Sequence, residues 1–476
     1  MNQSCTVTIT GPHWDRLRDH LFPGDGREHG AVLLCGILRT PSGTRLLVHD
    51  VVPAVDGTDY IQSRNGPNEL TPDFVTRNIL RAARAGLVYL AVHCHGGRDH
   101  VGFSDVDLGS HANGYPALVD INRGNPVGAL VFAQNAVAGD IWHKDGTRTQ
   151  VSMLTVVGSN RNVLRPAPLP SVGRDPYYDR QSRLFGDRGQ ETLRRQKIGI
   201  IGVGGAGSLL VEYHSRLGVG EIVVIDPDRI ETTNLPRVVG SRRRDAWPWL
   251  TDERRSGWLR RIGTRFSATK VHVAKRLARQ GSAKTKLTTI FGPVDSREAA
   301  WALSDCDQIY LAADTAVACH FVNTIAHQYL IPVTQVGAKV PVDEDGIVGE
   351  VFSAMRASIP GTGCLWCNSL ISPERLRKES LSDEELDRQR YVEDEHVVAP
   401  SVITLNAVAA SDAANDWLMR VTGLSQDAAY TRWVESFPRR GKVRRETPRT
   451  DPNCYWCGPA HFARGDAAEL PVQVRS

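Results

Sequence analysis

The pattern of apolar and polar residues in the first third of the chain predicts an α/β domain. Apolar runs bounded by turn residues indicate strands, and apolar residues three or four positions apart indicate helices. Strands are predicted at residues 5–9, 31–38, 45–52, 87–92, 128–132 and 138–142, and helices at residues 12–21 and 71–85. We therefore expect one domain over residues 1–158, followed by a linker at residues 159–177, where four prolines occur.

From residue 178 to residue 476, strand and helix patterns alternate. Strands are predicted at residues 198–201, 222–225, 308–312 and 331–336, and helices at residues 208–217 and 323–329. Such alternation is typical of a parallel, doubly wound (Rossmann-like) sheet. Residues 239–266 are rich in Arg and Trp without clear periodicity, and the sequence assigns them no role.

A glycine-rich turn follows the first strand of this second domain. It contains four glycines, and the next strand ends at Asp226; the glycines are Gly202, Gly204, Gly205 and Gly207. Glycines here let backbone N–H groups approach phosphates at a helix N-terminus, and an acidic residue after the second strand binds ribose hydroxyls. The turn predicts a nucleotide-binding unit.

The residues after Asp226 make the prediction more specific. The segment DPDRIETTNLPR resembles the DxDxVxxxNLxR motif of the ThiF/MoeB and ubiquitin-activating enzyme superfamily, and Tyr178–Gln181, Phe185-Gly186 and Gly189-Gln190 resemble its lead-in. The resemblance implies ATP-dependent adenylation of the C-terminal glycine of a ubiquitin-like protein, with Mg²⁺ as cofactor. It also implies roles for individual residues: the four glycines cradle the nucleotide, Asp226 binds ribose, Asn234, Arg237 and Lys270 contact phosphates, Asp314 holds magnesium, and Arg180 reaches across a homodimer interface. Cys319-His320 departs from the pattern, because the family often has another Arg there.

The sequence HCHGGRDHVGFSDVD, from His93 to Asp107, predicts a metal site. Two histidines two residues apart at a strand end point to the same side, and Asp107 supplies a third ligand, with Asp105 as its rival. The segment resembles the JAMM/MPN metalloprotease signature. That resemblance implies a catalytic Zn²⁺ held by His93, His95 and Asp107, with Glu28 as general base and Ser104 stabilising the oxyanion. Gly96 in place of a proline and a spacer one residue longer than the common form depart from the signature.

Two CxxC pairs, Cys364 with Cys367 and Cys454 with Cys457, predict a structural Zn²⁺ site of four thiolates. Between the pairs, a charged segment at residues 373–390 and an apolar one at residues 402–418 have helical patterns. Residues 368–453 contain no cysteine. We therefore expect no thioester at the position where activating enzymes of this family usually carry their nucleophile.

Composition narrows the class of protein. The chain has 476 residues, enough for two or three domains, and 57 Lys+Arg against 53 Asp+Glu give a net charge of only +4, which does not favour nucleic acid as a partner. An arginine cluster between Arg242 and Arg265 is expected to be a solvated face, with contact to an acidic partner as the alternative. No run of 18 apolar residues and no signal-peptide pattern occurs, so we expect no membrane association and a cytoplasmic location.

The two resemblances together imply a bifunctional enzyme of a ubiquitin-like system. One domain would adenylate a β-grasp protein, and the other would trim or remove it as a zinc (iso)peptidase. A sulfur-carrier activator for thiamine, molybdopterin or cysteine synthesis is the first alternative, and a non-catalytic binding scaffold is the second. A conjugating enzyme is the further partner expected in the first case, and a sulfurtransferase in the second.

Overall fold

The computed structural model describes residues 4–61, 69–252, 254–343, 345–380, 400–426 and 432–472. The chain forms two compact units, which we call the N-terminal and C-terminal units. The N-terminal unit comprises Met1–Ser171, His327–Leu330 and Tyr455–Glu469, and the C-terminal unit comprises Val172–Ala326, Ile331–Cys454 and Leu470–Ser476.

The N-terminal unit contains ten strands and three helices among its described residues. In chain order they are β1 (Cys5–Thr10), α1 (Gly11–Leu21), β2 (Gly30–Thr40), β3 (Gly43–Pro53), β4 (Tyr60–Ile61), β5 (Glu69–Leu70), α2 (Pro72–Ala85), β6 (Val88–Cys94), α3 (Asp105–Ile121), β7 (Val127–Phe132), β8 (Val137–Trp142), β9 (Arg148–Val157) and β10 (Asn162–Leu164). Strand β10 lies inside the range that the sequence predicts to be a linker.

The main sheet of this unit curls into a barrel. Its strand order is β1-β3-β2-β6-β7-β8-β9-β10, and β1 also pairs with β9, which closes the ring. Apolar side chains from several strands of the ring fill one core, for example Val7 on β1, Leu33 on β2 and Leu154 on β9. Strands β2 and β6 are antiparallel, with Gly30 opposite His93. This register fixes the position of the predicted metal ligands at the end of β6.

The segment Tyr455–Glu469 belongs to the N-terminal unit although the sequence assigns it to a domain of residues 178–476. The backbone N–H of Asp466 donates to the carbonyl of Ile37 (2.7 Å), and the Asp466 side chain accepts from the N–H of Arg39 (3.0 Å). Gly36 allows this approach, because a Cβ there would lie 2.1 Å from the carbonyl oxygen of Ala463.

The C-terminal unit alternates strands and helices. Its described elements are α4 (Asp179–Arg194), β11 (Lys197–Ile201), α5 (Gly205–Leu217), β12 (Glu221–Ile225), α6 (Pro248–Thr251), α7 (Gly257–Phe266), α8 (Lys270–Gly281), β13 (Lys286–Ile290), α9 (Arg297–Ser304), β14 (Gln308–Leu311), α10 (Ala316–Tyr329, whose last three residues the N-terminal unit includes), β15 (Val333–Lys339), β16 (Phe352–Ser358), α11 (Pro373–Glu379), α12 (Ile403–Val421), β17 (Trp433–Phe437) and β18 (Lys442–Glu446).

The sheet of this unit has the strand order β13-β12-β11-β14-β15-β16-β17-β18. Strands β11 to β15 are parallel, as a Rossmann-like fold requires, and β16, β17 and β18 extend the sheet in antiparallel fashion. The predicted α/β class is therefore confirmed for this unit. Helices α5 and α12 pack together over the sheet, with Leu210, Ala413 and Trp417 in the shared core.

Two further predictions have a structural outcome. Of the charged segment predicted to be helical at residues 373–390, Pro373–Glu379 is a helix, and residues 381–390 lie outside the described residues. Among the described helices, none is long and apolar enough to cross a membrane.

Candidate functional site

The nucleotide-site residues predicted from the sequence gather at one edge of the parallel sheet. Gly202 follows β11, Asp226 follows β12, and Asp314 lies three residues beyond β14. Because β11 lies between β12 and β14, all three positions are at the carboxyl ends of neighbouring strands. The strand order reverses between β11 and β14, which is where open α/β sheets bind ligands.

The glycine turn brings the start of α5 very close to the end of β11. Gly202 has a positive φ of 81°, and a Cβ on Gly207 would lie 1.9 Å from the carbonyl oxygen of Gly202. A Cβ on Gly205 would lie 2.3 Å from Nδ2 of Asn406, a residue of α12 that the sequence reasoning missed. These glycines are therefore needed for close packing of backbone against backbone and side chain.

Helix α5 begins without a side-chain cap. Its N-cap residue is Gly204, which has no side chain to accept from the N–H groups of the first turn. Unpaired N–H groups and the positive end of the helix dipole favour an anion at this position. The turn therefore suits a nucleotide phosphate.

Asp226 is almost fully buried and holds the glycine turn together. Its two carboxylate oxygens accept the N–H groups of Val203 (2.6 Å) and Asp228 (2.8 Å). Burial raises the pKa of Asp226, and this is only partly opposed by the Lys270 ammonium and by the two backbone donors. Asp226 thus has a structural task in addition to the ribose contact expected of it.

The expected phosphate-binding residues differ in how many hydrogen bonds and ion pairs they already form within the protein. Nζ of Lys270 lies 2.7 Å from Oδ2 of Asp228 and 3.9 Å from Oδ1 of Asp226. Asn234 accepts the N–H of Glu231 through its side chain. Nε of Arg237 is buried and has no hydrogen-bond partner within the described part of the chain. An unpaired buried guanidinium nitrogen calls for an acceptor, and a phosphate oxygen would satisfy it.

Helix α11 lies beside Asp314. Arg375 donates to the backbone carbonyl of Asp314 (3.3 Å), and a carboxylate oxygen of Glu379 accepts the N–H of Val317 at the start of α10 (3.0 Å). The side chain of Asp314 is exposed. Sequence reasoning missed Arg375 and Glu379, since nothing in a charged helical segment marks which residue turns towards a site.

Arg180 is exposed on the first turn of α4. The role expected for it needs a second subunit, so it remains a prediction.

The predicted metal ligands of the N-terminal unit lie together. Nε2 of His93 is 3.1 Å from Nε2 of His95, and the Asp107 carboxylate lies 3.4 Å from the first and 3.5 Å from the second. All three potential ligand atoms are within 4.8 Å of one another. Two imidazoles and a carboxylate are a donor set that suits zinc with a remaining open position.

The helix N-terminus at Ser104 explains why Asp107, and not Asp105, joins the histidines. Ser104 is the N-cap of α3, and its backbone N–H and hydroxyl both donate to Oδ2 of Asp107 (2.8 and 2.7 Å). Asp105 is the first residue of α3, is exposed, and is not part of the three-residue cluster. In this arrangement the Ser104 hydroxyl orients Asp107, so the predicted oxyanion contact would need the hydroxyl to turn.

The protonation states suit metal binding. Burial lowers the pKa of His93 to about 4, despite the opposing effect of the Asp107 carboxylate. Burial tends to raise the pKa of Asp107, but the two hydrogen bonds from Ser104, together with the neighbouring His93 and His95, outweigh it and the pKa is lowered. His93 is therefore neutral and Asp107 charged near neutral pH, the forms that bind a metal.

Glu28 lies two residues before Gly30, the first residue of β2. The N–H of Cys94 donates to the carbonyl of His29 (3.2 Å), which continues the register of Gly30 with His93. Glu28 lies just before this paired stretch, and its role as general base remains a prediction.

The four cysteines of the two CxxC pairs form one cluster. Sγ of Cys364 lies 3.5 Å from Sγ of Cys367 and 3.7 Å from Sγ of Cys454, and the four sulfur atoms, including that of Cys457, lie within 4.8 Å of one another. Four converging thiols suit a closed tetrahedral zinc site.

The C-terminal part of the chain matches a known family. Residues 178–455 match the ThiF family, which is more than half of the chain. The residues that form the candidate nucleotide site and three of the four clustered cysteines lie inside this range, and the N-terminal metal cluster lies before it.

Curated relatives share short stretches with the chain. The tRNA threonylcarbamoyladenosine dehydratase of Bacillus subtilis is 38% identical over 60 residues, which are 13% of this chain and 24% of that protein. The sulfur carrier protein adenylyltransferase of Thermus thermophilus is 41% identical over 64 residues, again 13% of this chain and 24% of that protein. The chain thus spans only about a quarter of the length of these relatives.

A solved structure of Escherichia coli MccB with MccA-N7isoASN is 20% identical to the chain. The match covers 60% of this chain and 76% of that one, with a TM-score of 0.44. A likeness at this level gives no information about function.

Proposed function

The chain belongs to the ThiF family, and on this premise we propose that it is an ATP-dependent adenylyltransferase. Its substrate would be the C-terminal carboxylate of a ubiquitin-like or sulfur-carrier protein. The observation that carries the proposal is the gathering of the glycine turn, Asp226 and Asp314 at the carboxyl ends of adjacent parallel strands within the matched range. Nζ of Lys270, at the start of α8, lies 3.9 Å from Oδ1 of Asp226. One of the curated relatives is an adenylyltransferase of a sulfur carrier protein, which agrees with this substrate class.

The reaction needs the carboxylate to attack the α-phosphate of ATP, so that an acyl-adenylate forms and pyrophosphate leaves. The first turn of α5 would bind phosphate oxygens, and Arg237 and Lys270 would neutralise their charge. Lys270 would have to exchange its ion pair with Asp228 for the phosphate. Magnesium, when bound, would be held by Asp314 together with phosphate oxygens, since Mg²⁺ usually takes one or two protein carboxylates beside substrate phosphates.

Exchange of labelled pyrophosphate into ATP tests this proposal. Purified β-grasp proteins that end in Gly-Gly serve as probes, and exchange is expected only in their presence. Asp314→Ala should abolish exchange without lowering the melting temperature, because the side chain is exposed and fills no core volume. Asp120→Ala, at an exposed aspartate of α3, is the matched control. Exchange at the wild-type rate in Asp314→Ala would contradict the proposal.

A second function is proposed for the N-terminal unit, namely a zinc-dependent peptidase or isopeptidase acting after the C-terminal glycine of the same carrier. The convergence of His93, His95 and Asp107 supports it. Zinc, when bound by these three ligands, would supply an acidic water molecule in its open position. Glu28 would accept the proton of that water and pass it to the leaving amine.

Glu28→Gln should slow cleavage of a carrier fusion by about a hundred-fold to ten-thousand-fold while zinc stays bound. Elemental analysis should find two zinc ions in the wild-type protein, one in Asp107→Ala and two in Asp105→Ala. Cleavage by Glu28→Gln at the wild-type rate, or loss of zinc only in Asp105→Ala, would rule out this assignment.

A further inference from the structure

Residues 239–266 expose a group of apolar side chains beside the candidate nucleotide site. Trp249, Trp258 and Phe266 are 59%, 63% and 64% exposed, and Trp247 and Ile262 are 36% and 37% exposed. We call these five residues the basic aromatic surface, because the same segment also exposes eight arginines. Large apolar side chains exposed together on one protein usually mark an interaction site.

The fold explains why these side chains are not covered. Helix α7 packs against α6 through Gly263, where a Cβ would lie 2.7 Å from Cβ of Leu250. Trp258, Ile262 and Phe266 follow one another at intervals of four residues and form a separate stripe along α7. Ala246 of the segment packs with Ile230, Val238 and Val273 in a small core of their own. The segment is thus folded, and its outer apolar stripe is available to a partner.

The charge around the stripe is strongly positive. Residues 239–266 contain eight arginines and three carboxylate residues. None of the eight guanidinium groups forms an ion pair with a carboxylate elsewhere in the described structure, and Asp245 is already paired with Arg276 (2.6 Å). The neighbouring helix α8 adds an open groove of about 340 Å³ lined by His272, Lys275, Arg276, Arg279 and Gln280. A partner protein that matches this surface would present an acidic face with an apolar centre.

Backbone contacts tie the surface to the candidate nucleotide site at both ends of the segment. At its C-terminal end, the N–H of Ile230 donates to the carbonyl of Ala268 (2.8 Å), and the N–H of Lys270 donates to the carbonyl of Asp228 (3.0 Å). At its N-terminal end, the N–H of Val239 donates to the hydroxyl of Ser208 on α5 (3.0 Å). A protein held on this surface is therefore held at a fixed position relative to the glycine turn.

We propose that the basic aromatic surface docks an acidic face of the carrier protein whose C-terminal carboxylate is adenylated. The inference rests on the proposed adenylyltransferase function and adds the chemistry by which the substrate protein is recognised. Trp247 packs against Trp249 and Phe266, with ring centroids 6.0 and 6.2 Å apart. Aromatic rings clustered in this way, in a segment with eight exposed arginines, resemble the centre of a protein–protein interface more than separate stacking platforms for bases.

Pyrophosphate exchange is measured against the concentration of a purified acidic β-grasp protein that ends in Gly-Gly and supports exchange. Trp249→Ala and Trp258→Ala should raise the KM for this protein about ten-fold or more each, with kcat and the KM for ATP unchanged. Trp301→Ala removes an indole that is 54% exposed on α9 and is the matched control. Added salt should raise the wild-type KM, since it screens the arginines. An unchanged KM for the carrier in both variants overturns the proposal.

A binding experiment distinguishes failure of the docking proposal from failure of the proposed adenylyltransferase function. If no carrier supports exchange by the wild-type chain, binding of the labelled acidic β-grasp protein is measured without ATP, beside an oligo-dT 20-mer and phosphatidylglycerol vesicles. Carrier binding that both tryptophan variants lose supports the docking surface even then. The absence of carrier binding overturns the proposal, and so does binding of the oligonucleotide or the vesicles that both variants lose.

Discussion

Replacement of Gly207 by alanine tests whether the close approach of α5 to β11 creates the phosphate-binding turn. The new Cβ would lie 1.9 Å from the carbonyl oxygen of Gly202, where ordinary van der Waals contacts begin at 3.4 Å. The helix end must therefore move by about 1.5 Å, the difference between these two distances. Because the obstacle is backbone, we expect a cost of about 3 kcal/mol, the upper part of the range for overpacking.

The same displacement should weaken ATP binding. Hydrogen bonds to a charged phosphate contribute about 1.5–3 kcal/mol each, and they weaken steeply when donor and acceptor separate by more than a few tenths of an ångström. The loss of one such bond corresponds to an increase in the Kd for ATP of about ten-fold to a hundred-fold. Calorimetric titration with ATP and a thermal melt measure the two effects.

Gly337→Ala is the control for this experiment. It adds the same methyl group on strand β15 of the same sheet, where no atom lies within 4 Å. We expect its melting temperature and its ATP affinity to stay at the wild-type values. If Gly207→Ala also matches the wild-type protein in both measurements, the close approach is not what forms the turn.

Two other predictions concern buried titratable groups. Burial lowers the pKa of His214 from 6.5 to about 4, so the unfolded chain binds a proton at pH values where the folded chain does not. Stability should therefore fall as the pH drops from about 6.5 to 4, by at most about 3 kcal/mol from this residue, and urea titrations of His214→Gln should show a shallower fall. Burial also raises the pKa of Cys319 to about 11, so we expect no thioester on this cysteine. A non-reducing gel of the protein with ATP and the carrier protein should show no thiol-sensitive adduct. An adduct mapped to Cys319 would refute this prediction.

The local patterns predicted most strands, because buried strands in both units are short apolar runs bounded by turns. They did not predict α3, which carries Asp107. Its residues include Gly109, Gly114 and Pro116, which are poor helix formers, and the helix depends on the capping box at Ser104 and on tertiary packing through Tyr115 and its neighbours. Packing of this kind cannot be read from a single stretch of sequence.

The antiparallel strands β16, β17 and β18 were also missed. Lys442–Glu446 has four charged residues and one apolar residue, and all five are exposed, so β18 is an edge strand defined by its pairing with β17. The CxxC spacing suggests that the four cysteines share one site. It does not show that the two pairs meet, and only the fold brings Cys454 next to Cys364, 90 residues earlier in the chain.

The structure also shows at which residues a substitution would test the reaction and at which it would disturb the fold. Both oxygens of Asp226 already accept backbone N–H groups, so a substitution there would disturb the glycine turn before any effect on ribose could be measured. The Asn234 side chain likewise accepts the backbone N–H of Glu231, the N-cap of the short helix Thr232–Asn234. Arg237, through its unpaired Nε, and Asp314, through its exposed carboxylate, have the fewest structural duties. Losses of exchange in variants of these two residues therefore reflect the reaction, whereas losses at Asp226 would be ambiguous.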